Sequence, residues 1–248
     1  MNPAPPMKDR STPGITRIPR TCLAILGLAL GLLSSASSQV EKTAAVKVPL
    51  SIFCFDYATG LKSVQVKRGA SELAEVKLST ANIVDAGKVE TEEGSIRLYG
   101  FPEESTKAPA VASAKLGELR EPLMILVPTE VGADFAYRSH LVERDPAKFP
   151  LGSCVFVNLT PHPVRINLGE EKREIAPGAD LLVKPAVAAG EVISVTVECQ
   201  IGGHWQAVSS SRWAQRVDRR SLVTLHLSPS TGRVQMKSIP LREVVDTP

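Results

Sequence analysis

The segment Ile193–Cys199 reads ISVTVEC, apolar at every second position, and runs of this kind recur along the chain between turn residues. A period of two sends alternate side chains to opposite faces of an extended strand, so such a run can bury one face in a sheet but offers no helical stripe. Val64–Lys67, Ala74–Leu78, Ser95–Tyr99, Val164–Leu168 and Leu222–Leu227 follow the same rule. Leu50–Phe55 (LSIFCF) and Leu123–Val127 (LMILV) are apolar on both faces, as central strands of a sandwich would be. Glycine and proline punctuate these runs, and Ser228–Gly232 (SPSTG) should close a hairpin between Leu222–Leu227 and Val234–Ile239. About a dozen short strands with no helical crossovers between them argue for an all-β fold, one or two antiparallel β-sandwiches, over a parallel α/β sheet.

The two halves match in pattern. Val64–Gly69 (VQVKRG) and Val164–Gly169 (VRINLG) each follow a hydrophobic strand that ends in an acid or its amide, Asp56 or Asn158. Each also precedes a further strand, a glycine (Gly87 or Gly190) and another alternating strand. This divides the chain into a first sandwich half or domain, 39–130, a charged connecting segment, 131–150, and a second half or domain, 151–243. A single continuous sandwich with a long loop at 131–150 is the other arrangement the pattern allows. Flexible ends are expected at 39–46 and 244–248.

Residues 1–38 read as a cleaved signal peptide. Lys8, Arg10, Arg17 and Arg20 precede an uncharged apolar core of twelve residues, Cys22–Leu33, and small residues follow at Ser34–Ser38. A spanning helix needs about 20 apolar residues, so this core is too short for a transmembrane anchor. Cleavage after Ser38 leaves a mature chain from Gln39 with 25 basic and 25 acidic residues, against a net charge of +3 for the whole. The basic balance thus belongs to the precursor and implies no nucleic-acid partner. Cys22 opens the apolar core instead of closing it, which argues against lipidation. An internal start at Met7 would keep all four positive charges. The expected location is periplasmic or extracellular.

The stretch FVNLTPHPVRINLG, Phe156–Gly169, resembles the opening of bacterial extracellular domains with immunoglobulin- or transthyretin-like folds. In these an Asn-Leu-Ser/Thr-Pro turn joins the first two strands and a proline-glycine turn, here Pro177-Gly178, comes later. The resemblance implies that the one or two antiparallel β-sandwiches are immunoglobulin-like, and it carries no active site.

Candidate chemistry is sparse. Cys54, Cys154 and Cys199 survive signal removal; Cys154 and Cys199 are the pair best placed for a disulfide, set against the reading of all three as small buried apolar residues. Cys54, between Phe53 and Phe55, sits where a thiol pKa rises, which disfavours a nucleophile. His140, Glu143 and Asp145 fall within six residues but have no second ligand cluster, so a solvated loop is expected and neither metal nor cofactor is implied. His226 should face solvent, opposite Val223, Leu225 and Leu227. Glu90, Glu92, Glu93, Glu103 and Glu104 read as acidic turns around Ser95–Tyr99. Asn158-Leu-Thr160 fits a glycosylation sequon, with Pro161 unfavourably placed behind it.

One uneven feature stands out. From Trp205 to Arg242 seven basic residues meet one acid, Asp218. Arg212, Arg216 and Arg219 fall at helical spacing, so a short helix or tight loop could seat Trp213 and Val217 on the sandwich and hold Arg212, Arg216, Arg219 and Arg220 outward as an anion-binding surface. An extended segment would disperse them. Together these features point to an exported, non-catalytic protein with a structural or binding role towards an envelope polymer or another exported protein. The competing class is an extracytoplasmic hydrolase with a site assembled from distant loops.

Overall fold

The computed structural model describes residues 45–101, 108–130, 132–228 and 231–241; the expected signal segment Met1–Ser38 and the tail 244–248 lie outside them. The first half holds β1 (Lys47–Cys54), β2 (Ser63–Gly69), β3 (Glu72–Lys77), β4 (Val84–Glu90), β5 (Ser95–Tyr99), β6 (Ala110–Lys115), β7 (Pro122–Pro128) and β8 (Tyr137–Glu143). The second holds β9 (Cys154–Asn158), β10 (Val164–Leu168), β11 (Glu171–Ile175), β12 (Asp180–Val183), β13 (Val192–Ile201), β14 (His204–Ala214), β15 (Arg220–Leu227) and β16 (Val234–Leu241). Among the described residues the only helical element is a single 3-10 turn at Ala58–Gly60. The fold is all-β, as the alternation requires.

Strand for strand the halves repeat one topology. The first forms sheets in the order β4-β1-β7-β8 and β3-β2-β5-β6, the second β12-β9-β15-β16 and β11-β10-β13-β14. Each number in the second half is its counterpart plus eight. All pairings are antiparallel except β1 with β7 and β9 with β15, which are parallel and again equivalent. The segment 131–150, expected to connect, contains β8, so the link proper runs from 144 to 153. Its charge disguised an edge strand whose polar side chains tie to the other half.

Period-two packing explains why β1, β7, β9 and β15 are buried on both faces. Val48, Leu50, Ile52 and Cys54 of β1, with Met124 and Leu126 of β7, enter the first sandwich core beside Val64, Val66, Ile96 and Leu98. The alternate residues Phe53, Leu123, Ile125 and Val127 turn the other way. There they meet Val155, Val157, Leu222, Ile239 and Leu241 of the second half in a shared core. Phe156, Val223 and Leu225 close the second sandwich core with Val164, Ile166, Val195 and Val197. The sheets thus form four layers with three apolar seams, the middle one joining the halves. Each large side chain buried there contributes about 1.5–3 kcal/mol relative to exposure.

Candidate functional site

The arginines singled out in the sequence do not share one surface. β14 stays extended through Ala214, which leaves Arg212 exposed on the strand. Trp213 stacks on Phe156 at 5.9 Å and 4°, so it packs against the core as expected. Val217, expected on the sandwich, is 54% exposed. Arg216 and Arg219 both lie within ion-pair distance of Asp218, at 2.9 and 3.6 Å. Arg220, expected to point outward, is 4% exposed. It opens β15, an inner strand, and its Nη1 donates to the carbonyls of Arg144 (2.5 Å) and Phe149 (3.4 Å) in the link.

The histidines also move from expectation. His226 is buried, because the face opposite Val223 and Leu225 is covered by the first half and does not meet solvent. Its ring packs on Phe55 at 4.0 Å, and its Nδ1 has no hydrogen-bond partner. Burial first, then the positive charges of Lys237 and Arg138, push its pKa down to about 4. His140 faces Asp180 of β12 at 3.5 Å. Among the described residues no cluster of ligating side chains could hold a metal ion.

Cys54, Cys154 and Cys199 are buried free thiols in the structure. Burial raises all three, Cys54 to about 11, which removes thiolate character at neutral pH. Glu92 is engaged by Lys67 at 2.8 Å and by the Tyr99 hydroxyl, a structural tie. Glu103 and Glu104 lie outside the described residues. Asn158 of the sequon is fully buried, so its amide is not available for modification in the folded chain.

A cleft opens instead where β1, the loop before β4, the start of β7, the link and β16 converge; its volume is about 790 Å³. Glu143 organises it. Its carboxylate accepts four backbone N–H groups, from Arg120, Glu121 and Arg144 at 2.9 Å and Asp145 at 3.0 Å. Burial pushes the Glu143 pKa up, but these donors outweigh it and hold the carboxyl below its ordinary value. The cage fixes the backbone of Arg144, which lines the cleft. Arg144 Nη1 donates to the Ser51 hydroxyl, while its buried Nε has no partner. Burial, and then the neighbouring Arg220 charge, lower the Arg144 pKa; Glu121 and Asp85 act in the opposite direction.

Asp85 and Glu121 line the same cleft, both exposed, and neither forms an ion pair with Arg144. Ile83, Ile239 and Leu241 supply apolar wall. No histidine or cysteine lines the cleft, and the Ser51 hydroxyl is engaged by Arg144. Its chemistry is recognition by charge and hydrogen bond beside an apolar surface. None of this was foreseen from sequence. The signal was the Glu143-Arg144-Asp145 run, read there for its acids and not for the cation between them.

No known protein family matches the chain, and no curated protein does either. Among the described residues no helix is long and apolar enough to cross a membrane.

Proposed function

We propose that this chain is an exported, non-catalytic binding protein of the cell envelope or the extracellular space, and that the Arg144 cleft is where it binds. The observation that carries the reading is a half-buried arginine that lines a large cleft with no acidic side chain among the described residues paired to it. A guanidinium removed from water favours a charged acceptor, and a carboxylate or phosphate supplies one with paired hydrogen bonds. The apolar seam between the halves supports rigid presentation of the site, since the cleft walls come from both halves of one packed block. Export rests on the charged, apolar and small-residue order of Met1–Ser38. The resemblance of Phe156–Gly169 to extracellular immunoglobulin- or transthyretin-like domains supports the same compartment.

Two measurements test the proposal. Intact mass of protein recovered outside the cytoplasm should correspond to a chain that begins at or near Gln39; retention of Cys22–Leu33 would refute export by cleavage. Titration of the mature protein with N-acetyl-leucine, a carboxylate on an apolar body, should shift the amide resonances of Asn82, Arg144 and Ile239. Silence of these amides towards this and other small carboxylates and phosphates would refute the binding cleft.

A further inference from the structure

The cleft carries charges of both signs that do not neutralise one another. Arg144 is tethered through Nη1 to Ser51 and through its backbone to Glu143. Asp85 is held on its own side by the Gly87 N–H, which donates to Oδ1 at 2.7 Å. Gly87 takes φ +70°, where a bulge shifts the β1–β4 register, and this geometry is what brings its N–H back to the carboxylate. Glu121 is placed at the start of β7 by its own N–H to Glu143. Asp85 and Glu121 are near enough for their charges to act on Arg144, yet neither pairs with it. On a freely adjusting surface, long side chains of opposite charge would close on each other. Here their backbones are pinned.

This arrangement discriminates among ligands. A simple anion that reached Arg144 would also meet two carboxylates, and a simple cation that reached the carboxylates would meet Arg144. A molecule with one carboxylate and one ammonium satisfies both at once, with its apolar part laid against Ile83, Ile239 and Leu241. Building on the binding role of this cleft, we infer that its ligand is a zwitterion of the amino-acid type: a free amino acid, or a short peptide with both ends unblocked, that bears an apolar side chain. Arg144 takes the carboxylate, and Asp85 with Glu121 takes the ammonium.

The test compares ligands that differ only in charge. L-leucine and leucyl-leucine are titrated calorimetrically into the mature protein beside their N-acetylated forms, which keep only the carboxylate, and their amides, which keep only the ammonium. At least one zwitterion should bind at least about tenfold more tightly than either of its blocked forms. Arg144→Lys keeps the charge but loses the fork and should abolish the preference over the amide. The double variant Asp85→Asn with Glu121→Gln alters only exposed side chains, and it should abolish the preference over the N-acetyl form while leaving the fold unchanged by circular dichroism. Binding of both leucine and leucyl-leucine no tighter than that of their N-acetyl forms to the parent would overturn the zwitterion assignment and leave the cleft as an anion site. Absence of binding by all six compounds would overturn it as well, and the silence of the cleft amides described above would then refute the binding role itself.

Discussion

The two halves share a strand order but secure the same turn by different means. In the second half the turn between β9 and β10 is braced from within. Asn158 is fully buried, and its Nδ2 donates to the carbonyls of His162 (2.8 Å), Ile175 (3.1 Å) and Ala176 (3.2 Å). Its Oδ1 accepts from the Thr160 N–H at 3.0 Å and the Thr160 hydroxyl at 2.7 Å. In the first half the position in the same register is Cys54, whose thiol donates to the Asp56 carbonyl at 2.8 Å, while the exposed Asp56 side chain accepts from the Tyr57 N–H, also at 2.8 Å. There the brace arrives from β8. The Tyr137 hydroxyl accepts from the Ala58 N–H and donates to the Leu61 carbonyl, both at 3.0 Å. A thiol offers one weak donor where an amide offers two N–H groups, so the first turn draws its further donor from β8. The same architecture admits either solution.

The largest effect should come from removing the internal brace. Asn158→Ala removes a fully buried amide with its donor to the Ile175 carbonyl and its acceptor for Thr160, and should cost about 4 kcal/mol in urea unfolding. Asn158→Asp, which keeps the size of the side chain, should cost as much at neutral pH because the donor is lost. If the Asp variant were as stable as the parent, the contrast between the two turns would be empty.

Acid should act on the seam between the halves. His226 is held at about 4, chiefly by burial, against 6.5 for the ordinary group. The unfolded chain therefore takes up a proton that the folded chain excludes, so this stabilisation is complete above pH 6.5 and is lost as pH falls from 6.5 through 4. The full loss is about 3 kcal/mol. Stability curves at pH 7 and pH 4 for the parent and for His226→Gln should converge at acid pH, with the variant showing the flatter profile.

Tyr137→Phe removes the external brace while keeping the ring, and should cost about 1–2 kcal/mol, less than the loss at Asn158. A loss equal to that of Asn158→Ala would show that the first turn depends on its borrowed donor as fully as the second does on its own. At the bottom of the scale, Arg216→Ser breaks an exposed pair with Asp218 and should leave the unfolding midpoint unchanged.

Strand content was readable because burial of one face imposes alternation, and Ile193–Cys199 and Val164–Leu168 display it directly. The two-sided runs Leu50–Phe55 and Leu123–Val127 even marked the inner sheets. What alternation cannot say is whether a face lies against water or against another sheet that carries polar groups. Thr224 and His226 share the face of Leu222, and a histidine there reads as solvated until the first half is seen to cover it. β8 was missed for a related reason, since its polar side chains Arg138 and His140 reach the Leu159 carbonyl (2.6 Å) and Asp180 across the seam. The cleft was illegible because its walls come from residues between Pro49 and Leu241, which only the tertiary fold assembles.

The parallel pairing of β1 with β7 sets an order of events in time. Ser51 aligns with Leu123, so the inner sheet of the first half cannot close until most of that half has been made. Such distant closure slows folding. Once it closes, Phe53, Leu123, Ile125 and Val127 form an apolar face whose cover, Val155, Val157 and Leu222, comes later in the chain. A chain emerging from its amino end therefore passes through an interval in which this sticky face is complete and bare. Interruption of synthesis between Glu143 and Leu222 should release a fragment that aggregates, whereas the finished chain hides the same surface.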